Sequence, residues 1–155
     1  SAGSNLLGCY LAFKELMASG ETTRLPRLFV SQPANCAPLH ASFQAGSDDF
    51  VETEFGMTIA EGTAIKRPIR FKQMLDVVRE SSGGTVAVAE EDIARAALNL
   101  ASAGIYTEPT SAHAAAGFTQ LIASGQIDAA EETVVILTGT GLKATLFYAD
   151  HFSGE

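Results

Sequence analysis

The chain has 155 residues, of which 46% are hydrophobic and 18% are charged, and this composition is typical of one compact domain with a buried core. The formal net charge of −8 argues against nucleic acid and anionic membranes as partners, because both attract a surplus of lysine and arginine. The apolar runs are shorter than the roughly 20 residues of a membrane helix. We therefore expect a cytoplasmic protein with a single domain over residues 1–155 and two reduced, buried thiols, at Cys9 and Cys36.

The first half of the chain carries the patterns of four helices and one strand. Leu6, Tyr10 and Phe13 recur at helical spacing, and Gly20 is a typical residue to end the helix that they predict. Proline interrupts the second helical pattern, and the acidic residues after it are typical of a loop. In chain order the predicted elements are a helix at about 5–19, a strand at 28–30, a broken helix at 33–46, a loop at 47–56, a short helix at 58–67 and a helix at about 71–80.

The second half alternates strands and helices. Glu90, Glu91 and Asp92 place negative charge at the start of a helix, where the helix dipole stabilises it. The run TVVILT is continuously apolar, which indicates a strand covered on both faces. In chain order the predicted elements are a strand at 85–89, helices at about 90–103 and 109–124, and a strand at 133–138. This alternation predicts an α/β fold with an open, mainly parallel sheet flanked by helices.

Two segments lie where parallel α/β sheets bind ligands, beyond the carboxyl ends of strands. The segment SAGS precedes the first helix, and its backbone N–H groups can bind a phosphate; an ordinary helix cap is the alternative. The segment TGTGLK follows the predicted strand at 133–138, where Thr138 would present its hydroxyl. Gly139 and Gly141 either let this loop pass close to a ligand or form an ordinary turn.

Two carboxylates, Glu61 and Glu108, lie among small and apolar residues. A half-buried carboxylate of this kind is either functional or paired with a lysine or arginine. The three histidines, His40, His113 and His151, are far apart and lack metal-ligand spacing, so no metal site is expected. The chain also lacks a nucleophile elbow, a Walker loop and a full GxGxxG.

The order of the segments is more specific than any one of them. The chain resembles the carboxyl-terminal half of threonine synthase in SAGSNL, RLPRL, TIAEGTAI, SSGGTVAVAEEDI, YTEPTSAHAAAGF and TVVILTGTGLK. More broadly it resembles the fold type II enzymes that use pyridoxal phosphate, which include threonine dehydratase and serine racemase. The resemblance extends over nearly all of residues 1–143, and EPTSA together with TGTGLK is its most specific part. It implies a tryptophan synthase β-like fold and pyridoxal 5'-phosphate as the cofactor.

The resemblance also implies roles for individual residues. Thr138 matches the Ser or Thr that hydrogen-bonds the pyridine nitrogen in this family, and a neutral hydroxyl there fits elimination and replacement chemistry. Glu108 matches a Glu beside the cofactor ring, and Glu61 is expected to line the substrate cleft. Four residues match the glycine-rich loop whose amides hold the cofactor phosphate: Ala2, Gly3, Ser4 and Asn5.

The family's Schiff-base lysine lies upstream of the phosphate loop, and the lysines of this chain, Lys14, Lys66, Lys72 and Lys143, match other positions. The resemblance therefore predicts a fragment of a longer, homodimeric enzyme that is inactive alone. The implied activity of the parent is the conversion of O-phosphohomoserine to threonine. Threonine synthases often read TGHGLK, whereas Thr140 stands at the His position here. A threonine dehydratase, a diaminopropionate-type ammonia-lyase and a non-catalytic module that binds a phosphoryl ligand thus remain alternatives.

Overall fold

A computed structural model describes residues 2–152, and in this range the chain forms six α-helices and a two-stranded sheet. The strands are β1 (Phe29–Pro33) and β2 (Gly84–Val88). The helices are α1 (Ser4–Ala18), α2 (Pro38–Gln44), α3 (Phe71–Glu80), α4 (Glu90–Ser102), α5 (Pro109–Ala123) and α6 (Thr145–Phe152). Short 3-10 helices cover Ala34–Cys36, Glu61–Thr63 and Gly141–Lys143.

The two strands are parallel, with Phe29 opposite Gly84 and Pro33 opposite Val88. A parallel pair needs a long crossover, which here contains α2 and α3. Gly83 lies just before β2, and a Cβ at this position would be 1.8 Å from the backbone oxygen of Leu28. Only glycine fits where these two backbones pass.

One face of the sheet packs against α4 and α5. Successive side chains of a strand point to opposite faces, so Val86 and Val88 share one face. They form a buried cluster with Ile93 of α4 and with Leu121 of α5. Gly117 of α5 makes the close approach possible, because a Cβ there would lie 2.5 Å from Oγ of Ser31.

The opposite face packs against α2 and α3. Val30 of β1 contacts a buried cluster that contains Leu39 of α2 with Met74 and Leu75 of α3. Helix α1 lies on the outer side of α3, and none of its residues is fully buried. The sheet is therefore a middle layer with helices on both faces, as the predicted α/β class requires.

The predicted strand at 133–138 is wrong for the described chain. No residue of this segment joins a strand in residues 2–152, and the Val134 side chain is 83% exposed. A strand needs a neighbouring backbone to accept and donate its hydrogen bonds, and β1 and β2 pair with each other instead. Apolar composition alone could not supply that neighbour.

Two smaller predictions also need correction. The helix expected at 58–67 is limited to the 3-10 turn Glu61–Thr63. Cys36 is buried as expected, but Cys9 is only half-buried. Cys9 lies on α1, a helix without any fully buried residue. Within residues 2–152, no helix has both the length and the apolar character needed to cross a bilayer.

Candidate functional site

The N-terminus of α1 has the features of an anion site. Its N-cap, Gly3, has a φ of 83°, no side chain of residues 2–152 caps the helix, and its first turn contains no acidic residue. The first backbone N–H groups of a helix lack intrahelical partners and carry partial positive charge. An anion at Ala2, Gly3, Ser4 and Asn5 would satisfy them. Ser1, the first residue of the predicted loop, lies outside the described residues.

Gly3 is required at this turn for two reasons. Its positive φ favours glycine, and a Cβ would lie 2.5 Å from Sδ of Met74 on α3. The loop is therefore held against α3 at a fixed place. On its other side Ala2 lines a cavity of about 350 Å³ together with Ile65 and residues 67–70.

Arg70 borders the same region. It lines the cavity beside Ala2 and also the groove beside Ser4. Within residues 2–152, Arg70 makes no ion pair or side-chain hydrogen bond. This positive charge is available to an anion near the start of α1.

A second group of site residues is held by a zipper, which is a short set of hydrogen bonds between the backbone of residues 106–108 and the backbone of residues 139–141. The Glu108 N–H donates to the Gly139 oxygen at 3.2 Å, and the Gly141 N–H donates to the Tyr106 oxygen at 3.0 Å. The buried Thr107 hydroxyl also donates to the Gly139 oxygen, at 2.6 Å. These bonds attach the TGTGLK loop to the residues that begin α5.

The glycines of that loop are explained by contacts within the chain. A Cβ on Gly139 would lie 1.7 Å from Oε1 of Glu108, and one on Gly141 would lie 2.6 Å from the Tyr106 ring. Thr140, which stands between them, accepts a hydrogen bond from the Leu142 N–H at 3.4 Å and caps the 3-10 turn. The close approach predicted here is therefore an approach to Glu108 and Tyr106.

Glu108 is largely enclosed and has a cationic partner. Its side chain is 16% exposed, and Oε1 lies 3.7 Å from Nζ of Lys143. The sequence left open whether this carboxylate pairs with a lysine, and the structure shows that it does. Lys143 itself is 64% exposed, so the pair lies at the edge of solvent.

Thr138 lies beside the first turn of α5. Its Oγ1 is 3.3 Å from Oγ of Ser111, a residue that is 2% exposed. Thr138 itself is exposed, and its hydroxyl contacts the buried Ser111. Thr138 and Glu108 thus both lie at the start of α5.

Glu61 approaches this end of α5 from another direction. Its neighbour Gly62 donates an N–H bond to Oγ1 of Thr110 at 3.2 Å, and a Cβ on Gly62 would lie 2.7 Å from Cγ2 of Thr110. Glu61 is exposed rather than half-buried, because it begins a 3-10 turn that faces outward. The Ile59 N–H donates to Oε2 of Glu90 at 2.8 Å, which places this turn at the carboxyl end of β2.

The predicted residues lie along one path of contacts, which is called the ligand edge below. Thr138 and Glu108 are joined by the zipper, Glu61 adjoins them through Gly62 and Thr110, and the chain continues from there to Ile65 beside Ala2. This edge lies beyond the carboxyl ends of the strands, where open parallel sheets bind ligands.

Sequence reasoning missed Ser111, Thr107 and Arg70 as site residues. Ser111 and Thr107 flank Glu108 in the segment that contains EPTSA, but no period or spacing indicates that their hydroxyls turn toward residues 138 and 139. Arg70 stands in a stretch without a motif. Only the tertiary path of the chain reveals these contacts.

Two histidines hold the layers of this scaffold together. Nε2 of His113 donates to the Ser31 oxygen at 3.0 Å, while Nδ1 of His40 lies 3.0 Å from Oγ1 of Thr85 on the other side of the sheet. Burial lowers the pKa of both imidazoles below the ordinary histidine value. Both rings are therefore neutral structural groups near pH 7.

The sequence of residues 1–139 matches the family described as "Pyridoxal-phosphate dependent enzyme". Threonine synthase of Methanocaldococcus jannaschii is 34% identical over 140 residues, which are 90% of this chain and 35% of that protein. Threonine synthase of Methanosarcina acetivorans is 32% identical over 140 residues, which are again 90% of this chain and 35% of that protein. Threonine synthase 2, chloroplastic, of Arabidopsis thaliana is 29% identical over 96% of this chain and 29% of its own length. The chain thus spans about a third of the length of these relatives.

Proposed function

Because the chain belongs to the pyridoxal-phosphate dependent enzyme family, we propose that it is the carboxyl-terminal part of a longer enzyme related to threonine synthase. The observation that carries the proposal is the ligand edge, which has the N-terminus of α1, without a side-chain cap in residues 2–152, at one end and the Thr138 hydroxyl, in contact with Ser111, at the other.

The α1 N-terminus fits the phosphate of the cofactor. It offers free N–H groups and no competing carboxylate in the first turn, and the positive φ of Gly3 shapes the turn that presents them. Arg70, which has no ion-pair partner in residues 2–152, adds positive charge at the same place. In the proposal, Ala2, Gly3, Ser4 and Asn5 hold the phosphate through their backbone amides.

The other end of the edge fits the cofactor ring. The hydroxyl of Thr138 would hydrogen-bond the pyridine nitrogen, and a neutral partner leaves that nitrogen without a full positive charge. Glu108 would lie beside the ring, with Lys143 fixing the position of its carboxylate. Glu61 would line the substrate cleft at the carboxyl end of β2.

Bound pyridoxal phosphate supplies an electron sink for elimination and replacement at an amino-acid substrate. The residues of this chain bind and orient that group, and the zipper between 106–108 and 139–141 keeps Glu108 and Thr138 in fixed positions. The proposed reaction of the complete enzyme is the conversion of O-phosphohomoserine to threonine, a lyase reaction. The names of the similar proteins favour this reaction over threonine dehydratase or diaminopropionate-type elimination.

The first test is the visible absorption spectrum of the complete protein before and after treatment with borohydride. We expect a yellow protein whose colour borohydride bleaches, since a lysine outside this chain would hold the cofactor covalently. A protein that stays colourless after addition of pyridoxal phosphate would refute the proposal and would favour a non-catalytic phosphoryl-binding module.

A second test addresses the reaction and the ring contact. Incubation with O-phosphohomoserine is expected to release threonine and inorganic phosphate, whereas release of a keto acid from threonine or serine would identify a dehydratase. Thr138→Val is expected to lower turnover while the fold stays intact, and Thr119→Val, which removes an exposed hydroxyl from α5, is the matched control. Unchanged turnover in Thr138→Val would remove this residue from the mechanism.

We also propose that the complete enzyme is a cytoplasmic homodimer, which a sedimentation measurement of its mass would test.

A further inference from the structure

The side chain of Ser111 is buried within the protein. The residue is 2% exposed and lies in the first turn of α5, a helix that packs on both strands. Thr138, by contrast, lies on a segment without strand pairing in residues 2–152 and is exposed. The 3.3 Å contact between their hydroxyl oxygens therefore connects a segment outside the sheet to a helix that packs on both strands.

The neighbouring carbonyl groups leave the Ser111 hydroxyl few other partners. The Thr107 oxygen accepts from the hydroxyl of Tyr148 at 2.5 Å. The Glu108 oxygen accepts the N–H groups of both Ser111 and Ala112 at 2.9 Å. A serine in a helix often bonds to a carbonyl one turn back, but here those carbonyls already have donors. Its described partner is Thr138.

The direction of this bond matters for a ligand. If Thr138 gave its proton to Ser111, it could only accept a hydrogen bond from outside. When Ser111 donates to Thr138 instead, the Thr138 proton is free to point outward and can be donated to an acceptor such as an unprotonated ring nitrogen. A chain of two hydroxyls also strengthens the outer bond by polarisation.

We infer that Ser111 is a positioning residue that donates its proton to Thr138 and so directs the Thr138 hydroxyl toward the aromatic nitrogen of a bound pyridine ligand. This inference rests on the proposed function and adds a residue to its binding site. Ser111 touches no ligand itself and acts only through Thr138.

The probe for the test is pyridoxine 5'-phosphate, which has the ring nitrogen and the phosphate but no aldehyde, so that a lysine cannot bond to it. The complete protein, freed of cofactor, is titrated with the probe by calorimetry. Four forms are compared: wild type, Ser111→Ala, Thr138→Val and the double variant. Inorganic phosphate is titrated in parallel, because it reports the phosphate loop alone.

We expect Ser111→Ala to weaken binding of pyridoxine 5'-phosphate by about three- to tenfold, the loss that corresponds to one net hydrogen bond. Inorganic phosphate should bind all four forms equally. The double variant should bind no more weakly than Thr138→Val, because Ser111 has no route to the ligand once the Thr138 hydroxyl is absent. Thr119→Val serves as a hydroxyl deletion on the same helix that should leave both affinities unchanged.

Two results would overturn the inference while leaving the proposed function in place. One is unchanged probe affinity in Ser111→Ala when Thr138→Val is impaired, and the other is additive loss in the double variant. Absence of binding of both probes to the wild type would refute the proposed function itself. Ser111→Cys, which keeps the volume but replaces the hydroxyl with a weak donor, covers the case in which Ser111→Ala does not fold; wild-type affinity in this variant counts against the inference.

Discussion

Gly8 and Gly83 are two glycines with opposite surroundings, and this difference can be measured. Gly8 lies inside α1, and no atom lies within 4 Å of a Cβ built on it. Gly83 lies against the backbone of Leu28. We expect Gly8→Ala to raise the free energy of unfolding by about 0.5–1 kcal/mol, because alanine loses less conformational entropy in a helix.

Gly83→Ala is the matched variant with the opposite sign. A Cβ at 1.8 Å from a carbonyl oxygen forces the backbone apart, so we expect a loss of about 1–3 kcal/mol or more. Denaturant unfolding of the two variants measures both changes. If Gly8→Ala instead lowered the free energy of unfolding, another group would have to contact Gly8 in solution, and the prediction would be wrong.

The buried imidazole of His113 makes stability depend on pH. Burial lowers its pKa in the folded chain, whereas an unfolded histidine titrates near its ordinary value of about 6.5. As pH falls below about 6.5, the unfolded chain therefore binds a proton that the folded chain does not, and stability decreases by up to about 1.4 kcal/mol per pH unit. The decrease ends once pH passes below the lowered pKa.

His113→Gln should reduce this pH dependence, since an amide can donate to the Ser31 oxygen without titrating. Unfolding free energies measured between about pH 5 and 7 are expected to give a flatter curve than wild type. His151→Gln replaces an exposed histidine of α6 and is the control. An unchanged slope in His113→Gln would show that other groups cause the acid sensitivity.

At the scale of elements, the zipper before α5 depends on Thr107. Its hydroxyl donates to the Gly139 oxygen, and its own carbonyl accepts from Tyr148 of α6. Thr107→Val should cost about 1 kcal/mol of stability, the typical net value of one hydrogen bond. It should also accelerate hydrogen exchange of the Gly141 N–H, which bonds to the Tyr106 oxygen in the same zipper.

Thr119→Val controls for the loss of a threonine hydroxyl, because Thr119 is exposed on α5 and its hydroxyl bonds within that helix. Equal exchange rates for Gly141 in wild type and Thr107→Val would mean that the backbone bonds alone hold the loop. Mass spectrometry of the exchanging chain resolves the two cases.

The elements that could be predicted are those that local pattern determines. The helices near 5–19, 90–103 and 109–124 are present because caps, charges and apolar spacing act within a few residues. The segment 133–138 has the composition of a strand, yet a strand depends on a partner that may be far away in sequence. The site was only partly predictable for the same reason. Glu108 and Thr138 could be proposed from a resemblance. Their contacts with Lys143 and Ser111 depend on the path of the folded chain.

At the scale of the whole molecule, large apolar side chains are exposed both on the unpaired segment at 133–138 and on α6. Val134 is 83% exposed and Leu146 is 78% exposed. An uncharged, apolar segment that pairs with no strand in residues 2–152 favours pairing with another chain. We therefore expect the chain of 155 residues to self-associate as its concentration rises.

Val134→Lys should weaken this self-association, because a lysine on an unpaired strand edge opposes pairing. Ile69→Lys is the control, since Ile69 is even more exposed, at 102%, but lies in a turn. Analytical ultracentrifugation over a range of concentrations measures the mass of each variant. Equal masses for wild type and Val134→Lys would show that another surface causes association.

The hydrogen bond from Thr107 to Gly139 joins residues that are 32 positions apart, and the partners of Glu108 and Ser111 also lie near the end of the chain. On the ribosome, both strands and the helices that cover them are therefore complete before the ligand edge can form. A chain that stops before residue 138 keeps every residue of its sheet and of the loop at 2–5, but it lacks Thr138 and the partners of Thr107 and Glu108. Synthesis of residues 138–143 thus completes the part of the ligand edge that is proposed to hold the cofactor ring.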